Sequence, residues 1–494
     1  MRQPAFDNQK YLKLQSEHIH QRVDKFGGKL YLEFGGKLFD DFHASRVLPG
    51  FEPDSKVKML ESIKEQVELI IAINANDIEK NKVRSDLGIT YDQDCLRLID
   101  AFRSIDILVG SVVICQYTKQ AAADLFKKKL ENMGIKVALH YPINGYPNNV
   151  SYIVSEEGFG KNDYIETQRK IVVITAPGPG SGKMATCLSQ LYHDQKRGIK
   201  SGYAKFETFP IWNLPLKHPV NLAYEAATVD LNDVNMIDPF HLESYGEKTV
   251  NYNRDIEVFP VLNALLEKIQ GISPYKSPTD MGVNMAGYCI TNDEAAIAAC
   301  KEEILRRYYN SKVALRKDEI SEESLSKMLL IMASAKIEPE DRKVVAKAVK
   351  LAEETKLPAV SLQLETGEII TGKTTSLLGA SSACLLNALK TIAKIPDNFL
   401  LISPNVLGPV QNVKTEILGG NNPRLHLDEL LITLAIAAIH NDPTKKALQC
   451  ISQLRGCEAH SSVILSEVDV ATFKKLGINL TQEPVYQTKK LYHK

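Results

Sequence analysis

The N-terminal half of the chain alternates short apolar runs with longer amphipathic stretches. KLYLEFGG, VELIIAINA, SVVICQY, KVALHYPI, IVVITAP and GYAKFETFPIWN read as strands, and Ser55–Glu65, Cys95–Ile105, Lys119–Met133 and Met184–Lys196 between them read as helices. Continuous apolar runs rich in Val and Ile suit strands buried on both faces. Strand, helix, strand in repeating order predicts a three-layer, mostly parallel sheet. Beyond Pro219 the pattern breaks into polar loops, TVDLNDVNMIDPFHLESYG and VNYNRD, followed by helices over Val258–Ile269 and Asp293–Tyr309. From about Ile320, helices starting near Ser321 and Pro339 lead to a hairpin and an Ala/Leu helix ending at Ala393. A strand over Phe399–Ser403 and helices over Leu427–His440 and Thr444–Leu454 follow. The class is multi-domain α/β: an α/β domain over 1–225, a loop-rich helical middle over 226–320 and a C-terminal α/β domain over 321–494.

One strand, Ile171–Thr175, runs into the glycine-rich turn APGPGSGK and then into a helix. Gly178, Gly180 and Gly182 let backbone N–H groups turn inward, and the helix start adds unpaired donors and a positive dipole end, so phosphate is the natural ligand. The turn is P-loop-like with two departures: a complete pattern needs glycine at Pro177 and a hydroxyl at Met184. That hydroxyl is the group that holds Mg²⁺ beside the phosphates, and Thr186 is the nearest substitute. Gly178, Gly180, Ser181, Gly182, Lys183 and Thr186 are therefore the candidate cofactor-binding residues, for ATP or another nucleotide with Mg²⁺. The spacing GxGxG, late in the domain, argues against a dinucleotide fold.

A second segment, GEIITGKT over 367–374, satisfies the P-loop pattern letter for letter. Its surroundings alternate and branch like two arms of a β-hairpin around Glu365-Thr366-Gly367-Glu368, so a hairpin is predicted there. Lys205 and Glu207 end the strand after the glycine turn's helix, where a lysine meets an anion and a carboxylate orients a nucleophile or takes a proton. The polar loops gather Asp230, Asn232, Asp233, Asn235, Asp238 and His241, with Asp280 and Asn284 beyond. From these, Asp230 and His241 join Lys205 and Glu207 as catalytic candidates, and Asp230 and Asp238 are candidate Mg²⁺ ligands. Asx-turn and capping work by the same residues is the alternative. Lys37, His43 and Arg46 form a further basic set able to close on an anion.

Composition narrows the function classes. At 494 residues the chain exceeds one core. Lys+Arg and Asp+Glu are equal at 60 each, so no overall field draws the protein to nucleic acid or an anionic membrane. No apolar run approaches the ~18 to 20 residues needed to span a bilayer, and the first residues carry no apolar signal core. A cytoplasmic location is expected. The eight cysteines lack paired CxxC spacing, which argues against a zinc knuckle and for reduced, largely buried thiols. Cys457 and His460 in GCEAHSS read as a cap after a helix ending at Gly456 rather than as a thiol and its base. HxE with PCxxC is absent, so zinc-dependent deamination has no ligands.

The run NGYPNNVSYIVSEEGFGKNDYIET, with TAPGPGSGKMATCLSQLYHD, GYAKFETFPIWNLPLKHPVNLAYEAAT, SPTDMGVNMAG and the C-terminal LNALK, HLDELL and GCEAHSS, resembles a bacterial family, domain of unknown function eighteen-forty-six, over nearly the whole chain. The resemblance implies an α/β N-terminal part, a helical middle and a C-terminal part of deaminase-like fold, here without metal ligands. Some members carry an ATP-dependent peptidase label, for which this sequence has no HExxH or nucleophile elbow. GYAK at 202–205 is also similar to the lysine-bearing strand of ATP-dependent ligases of the dethiobiotin synthetase type. That likeness implies Lys183 on the β/γ-phosphates, Lys205 on the transferring group, Thr186 or Asp230 on the metal and Glu207 orienting substrate. The resulting expectation is an enzyme, of ligase or phosphotransferase type, that uses ATP with Mg²⁺ on a small anionic metabolite and forms a homo-oligomer. The alternatives are a nucleotide-sensing oligomer without turnover, and a hydrolase or isomerase of a phosphorylated small molecule.

Overall fold

Runs of branched apolar residues, buried on both faces, form one parallel sheet in the first of two compact units, Pro4–Ala299 and Cys300–Lys494. The computed structural model describes residues 3–487 apart from 37, 40, 85 and 86. Seven strands make the sheet: β1 Leu30–Phe34, β2 Val67–Asn74, β3 Leu108–Cys115, β4 Lys136–Leu139, β5 Ile171–Thr175, β6 Gly202–Phe206 and β7 Gly282–Val283. Their spatial order is β7-β6-β1-β5-β2-β3-β4, and every neighbouring pair is parallel. Glu33 of β1 stands level with Lys205 of β6 and with Ile174 of β5. All five residues of β5 are buried, as a central strand under two helical layers requires.

Connections from β2 lead to β3 on one side, while the chain leaving β5 crosses β1 to reach β6 on the other. The carboxyl ends of β2 and β5 thus flank a topological switch point, the place where open α/β sheets leave a crevice. Helix α1 (Asn8–Lys25), α2 (Tyr91–Arg103), α3 (Ala121–Asn132), α4 (Lys183–Lys196) and α5 (Asn253–Gln270) cover the sheet or one another. Of these, α4 packs on β1, β5 and β6, and α5 packs against α4. The segment after residue 226 supplies α5 and β7, both of which build the first unit. No helix among the described residues is long and apolar enough to cross a membrane.

His140, directly after β4, gives this unit an acid-sensitive point. Its ring is buried, with Nε2 3.2 Å from the Asp163 carbonyl, and burial pushes the imidazole down from its ordinary 6.5 to about 4. The unfolded chain therefore takes up a proton below 6.5 that the folded chain refuses until about pH 4, so stability falls as pH drops through that window and levels below it. We expect His140→Gln, which keeps an N–H donor, to flatten the decline between pH 6.5 and 4. Urea unfolding across that range checks this; an unchanged slope would contradict it.

The second unit holds a four-stranded mixed sheet: β8 Ala359–Gln363, β9 Ile369–Lys373, β10 Glu458–Ser461 and β11 Asn479–Gln482, in the order β9-β8-β10-β11. β8 and β9 are antiparallel, closed by Leu364 N to Glu368 O and Gly367 N to Leu364 O, with Gly367 at φ 88°. The letter-perfect P-loop string is therefore the hairpin. The strand expected over Phe399–Ser403 is absent. Leu401 and Ile402 are buried in the core as an irregular segment, and Leu401 O accepts from Thr444 Oγ1 rather than from a neighbouring strand. Cys457 and His460 do not work as a thiol and its base: Cys457 Sγ faces Gln453 O, and His460 Nδ1 lies 2.8 Å from Thr481 Oγ1. All eight cysteines are free and buried.

A charged network pins helix to sheet inside this unit. With α6 (Asp293–Arg316) and α7 (Lys343–Thr355) defined, Arg306 of α6 donates to Glu303 and Glu458, while Arg342, one residue before α7, donates to Glu302, Glu458, Thr481 Oγ1 and the carbonyls of Ala459 and Asn479. Arg342 is fully buried. Its planar fork reaches two carboxylates and three neutral acceptors from one position, a set that a single ammonium cannot satisfy.

Candidate functional site

The glycine turn sits on the switch point. Asn74 at the end of β2 donates through Nδ2 to Gly180 O at 3.2 Å, and Cys115 at the end of β3 places Sγ 3.6 Å from Thr186 Oγ1. Gly180 and Gly182 take φ of 74° and 94°, a region that L side chains rarely adopt. Gly182 is also tight, because a Cβ there would lie 2.7 Å from Cys115 Sγ. Gly178 is closed in a similar way by the Tyr91 ring. Ser181 is buried and donates to Gly178 O at 2.8 Å, which braces the turn. Gly182 is the N-cap of α4 and no side chain caps the helix, so its first N–H groups have no side-chain acceptor. Pro179 and Gly180 are exposed, and Lys183 forms no ion pair with any described residue.

Thr186 is buried, and its hydroxyl donates to Gly182 O at 2.9 Å. It thus serves the turn and the Cys115 contact from inside the helix rather than standing in for the missing hydroxyl at Met184.

Charged side chains also gather at the end of β6, two strands from β5. Lys205 Nζ lies 2.8 Å from Glu207 Oε1 and contacts Asp255 Oδ2, with the Tyr252 ring 5.3 Å away. Glu33 accepts from Tyr203 OH at 2.7 Å, and its charge acts on Lys205. Glu33 stands on the strand between β5, which leads into the glycine turn, and β6, which carries Lys205. Three carboxylates around one ammonium hold Lys205 protonated well above the usual lysine range despite its burial. Burial, together with the Asp255 carboxylate beside it, pushes the Glu207 carboxyl upward against the pull of Lys205. A cation of fixed charge beside a carboxyl that can hold a proton near neutrality is the pairing used in acid-base work. Trp212 Nε1, close to Glu207 in the chain, is buried and has no hydrogen-bond partner among the described residues.

Other candidates fall elsewhere. Asp230 is exposed in the turn Val229–Leu231. Asp238 is buried and its oxygens accept four donors: the N–H of Phe240, His241 and Thr279, and the Thr279 hydroxyl at 2.7 Å. His241 Nδ1 pairs with Ser277 Oγ at 2.8 Å and its ring lies against Tyr245. Asp233 pairs with Arg254, and Asn284 donates to Pro210 O. These polar loops do the capping and turn work weighed above. Among the described residues no group of three or more His, Cys, Asp or Glu side chains is placed to hold a metal ion. His43 packs its ring edge-on to Phe209 and Tyr224, Arg46 lies on the short helix Phe42–Val47, and Lys37 lies outside the described residues.

Sequence reading missed Glu33 and Asp255. Glu33 did carry a signal, as the one charged residue within an otherwise apolar strand at its carboxyl end. Asp255 lies in the first turn of α5, and only the packing of α5 beside β6 shows its role.

Fold and site together define an α/β protein with a large parallel sheet, a glycine turn after β5 and a cluster of charged side chains at the end of β6. The chain belongs to the family described as domain of unknown function DUF1846, whose N-terminal model matches residues 4–336 and whose C-terminal model matches residues 340–492. It is similar to a UPF0371 protein of Streptococcus pyogenes serotype M5 (strain Manfredo), 58% identical over 494 residues and covering all of both chains. A UPF0371 protein of Streptococcus uberis matches equally, 58% identical over the full length of each.

Proposed function

We propose that the first unit binds a phosphate-bearing small molecule, ATP or another nucleotide in the first instance, and acts on a small anionic group beside it. The observation that carries this reading is the turn Gly178–Gly182, with positive φ at Gly180 and Gly182 and Lys183 in no ion pair with a described residue, at the end of β5, while β6, one strand beyond β1, ends in Lys205 with Glu207 and Asp255 about it. Backbone N–H groups of the turn and Lys183 hold the phosphate oxygens. Lys205 meets negative charge on the reacting group, Asp255 and Glu33 fix that lysine, and Glu207 gives or takes the proton. A deaminase-like outline for the second unit, serving as a scaffold, accompanies this reading.

One observation favours a second version, in which a phosphorylated metabolite is itself the substrate. Met184 occupies the position of the metal-holding hydroxyl and Thr186 is turned to Gly182 O, so the loop is built to grip phosphate without help from a side-chain metal ligand. Turnover separates the versions. Release of inorganic phosphate from ATP, dependent on an added anionic metabolite, supports the first; isomerisation or hydrolysis of a sugar phosphate without ATP supports the second. Under either, Glu207→Gln should remove the limb of the pH–rate profile set by the raised carboxyl, with KM for the phosphate ligand little changed. An unaltered profile would remove Glu207 from the chemistry.

A further inference from the structure

Helix α8, Leu427–Ala437, and the two residues after it are uncharged from Leu430 to Ile439, as a core helix would be, yet one side faces water. Leu430 and Leu434 are buried in the unit's core, while Ile432, Ile436 and Ile439 repeat at helical spacing on the outer side. Val413, Ile417 and Leu418 are exposed on a segment tied to the first turn of α8 by Lys414 Nζ to Glu429 Oε2 at 2.7 Å. The six side chains are 45% to 76% exposed. At roughly 170 to 200 Å² of full exposure each, that leaves on the order of 700 Å² of aliphatic surface in water. An interface of standard size takes about 800 Å² from each partner, and apolar patches of this extent mark interaction surfaces.

We propose that this face is where two copies of the chain associate. A two-fold axis perpendicular to α8 sets it antiparallel to the α8 of the second copy. That arrangement matches aliphatic surface to aliphatic surface, as a self-complementary patch requires. It also brings the acidic N-terminal end of one helix, with Asp428, over the other helix's C-terminal end. There His440 and the exposed Lys445 and Lys446 follow, and the two helix dipoles oppose favourably. A groove for a charged peptide would carry charge along its length, and none lies between Leu430 and Ile439.

The test is the mass of the full chain in solution by light scattering at micromolar concentration. The wild type is expected at twice the 55.0 kDa of one chain, and Ile432→Lys with Ile436→Lys at 55.0 kDa with an unchanged circular dichroism spectrum. Ala435→Cys, at an exposed position amid the patch, is expected to give a disulfide-linked dimer on mild oxidation, because all eight native thiols are buried. A monomeric wild type overturns the proposal, as does a wild type that is monomeric and floats with lipid vesicles. A dimer that survives the double lysine variant, with Ala435→Cys failing to cross-link, also overturns it.

Discussion

Lys183→Ala is expected to weaken binding of the phosphate ligand by roughly 10- to 150-fold, equivalent to the ~1.5–3 kcal/mol of a hydrogen bond to a charged group, while leaving thermal unfolding unchanged. The fold is spared because Lys183 forms no ion pair with a described residue. Gly182→Val, by contrast, should lower stability along with binding: its φ is 94° and its Cβ would meet Cys115 Sγ at 2.7 Å. The lysine is therefore the cleaner probe. Lys373→Ala, in the hairpin string that mimics a phosphate loop, should leave affinity where it was. Isothermal titration with a panel of nucleotides and sugar phosphates measures all three, and equal affinity in Lys183→Ala would dismiss the assignment.

The largest loss of stability is expected from Arg342→Met. Removing this guanidinium strips Glu458 and Glu302 of a charge partner, and it leaves Ala459 O and Asn479 O without their Arg342 donors inside the second unit. Breaking a buried ion pair from one side costs about 3–5 kcal/mol. Arg342→Lys should recover only part of this, since an ammonium cannot reproduce the fork. Urea unfolding followed by circular dichroism gives the value; a loss under about 1 kcal/mol would mean that the network contributes little.

Why some of this was readable in the sequence and some was not follows from how local each signal is. Ile171–Thr175 announces a central strand because every position is β-branched and four of the five are apolar, and the glycines after it announce the turn, since each effect acts within a few residues. The hairpin at 359–373 was legible for the same reason. Phe399–Ser403 misled because its apolar residues fit a strand, whereas Leu401 and Ile402 plug the core with Leu400 facing out and no strand edge beside them. Lys205 and Glu207 were singled out from their place at the end of β6, but Glu33 and Asp255 come from β1 and α5, the first brought level with Lys205 by the parallel register and the second by the contact of α5 with Lys205. Asp230, Asp238 and His241 lie close in sequence, but Asp230 sits in an exposed turn and Asp238 meets His241 only by capping its backbone N–H, because the short loops turn successive polar side chains into caps.

The central claim is that the turn Gly178–Lys183 grips a phosphate group. Competition binding states it most directly: a fluorescent ATP analogue bound by the full chain is titrated off with inorganic phosphate, sugar phosphates and their unphosphorylated counterparts, in wild type and Lys183→Ala. The account predicts displacement by the phosphorylated compounds alone, and weakened analogue binding in the variant. Failure of the wild type to bind any phosphorylated compound in preference to its unphosphorylated counterpart, or binding indifferent to Lys183, would contradict it.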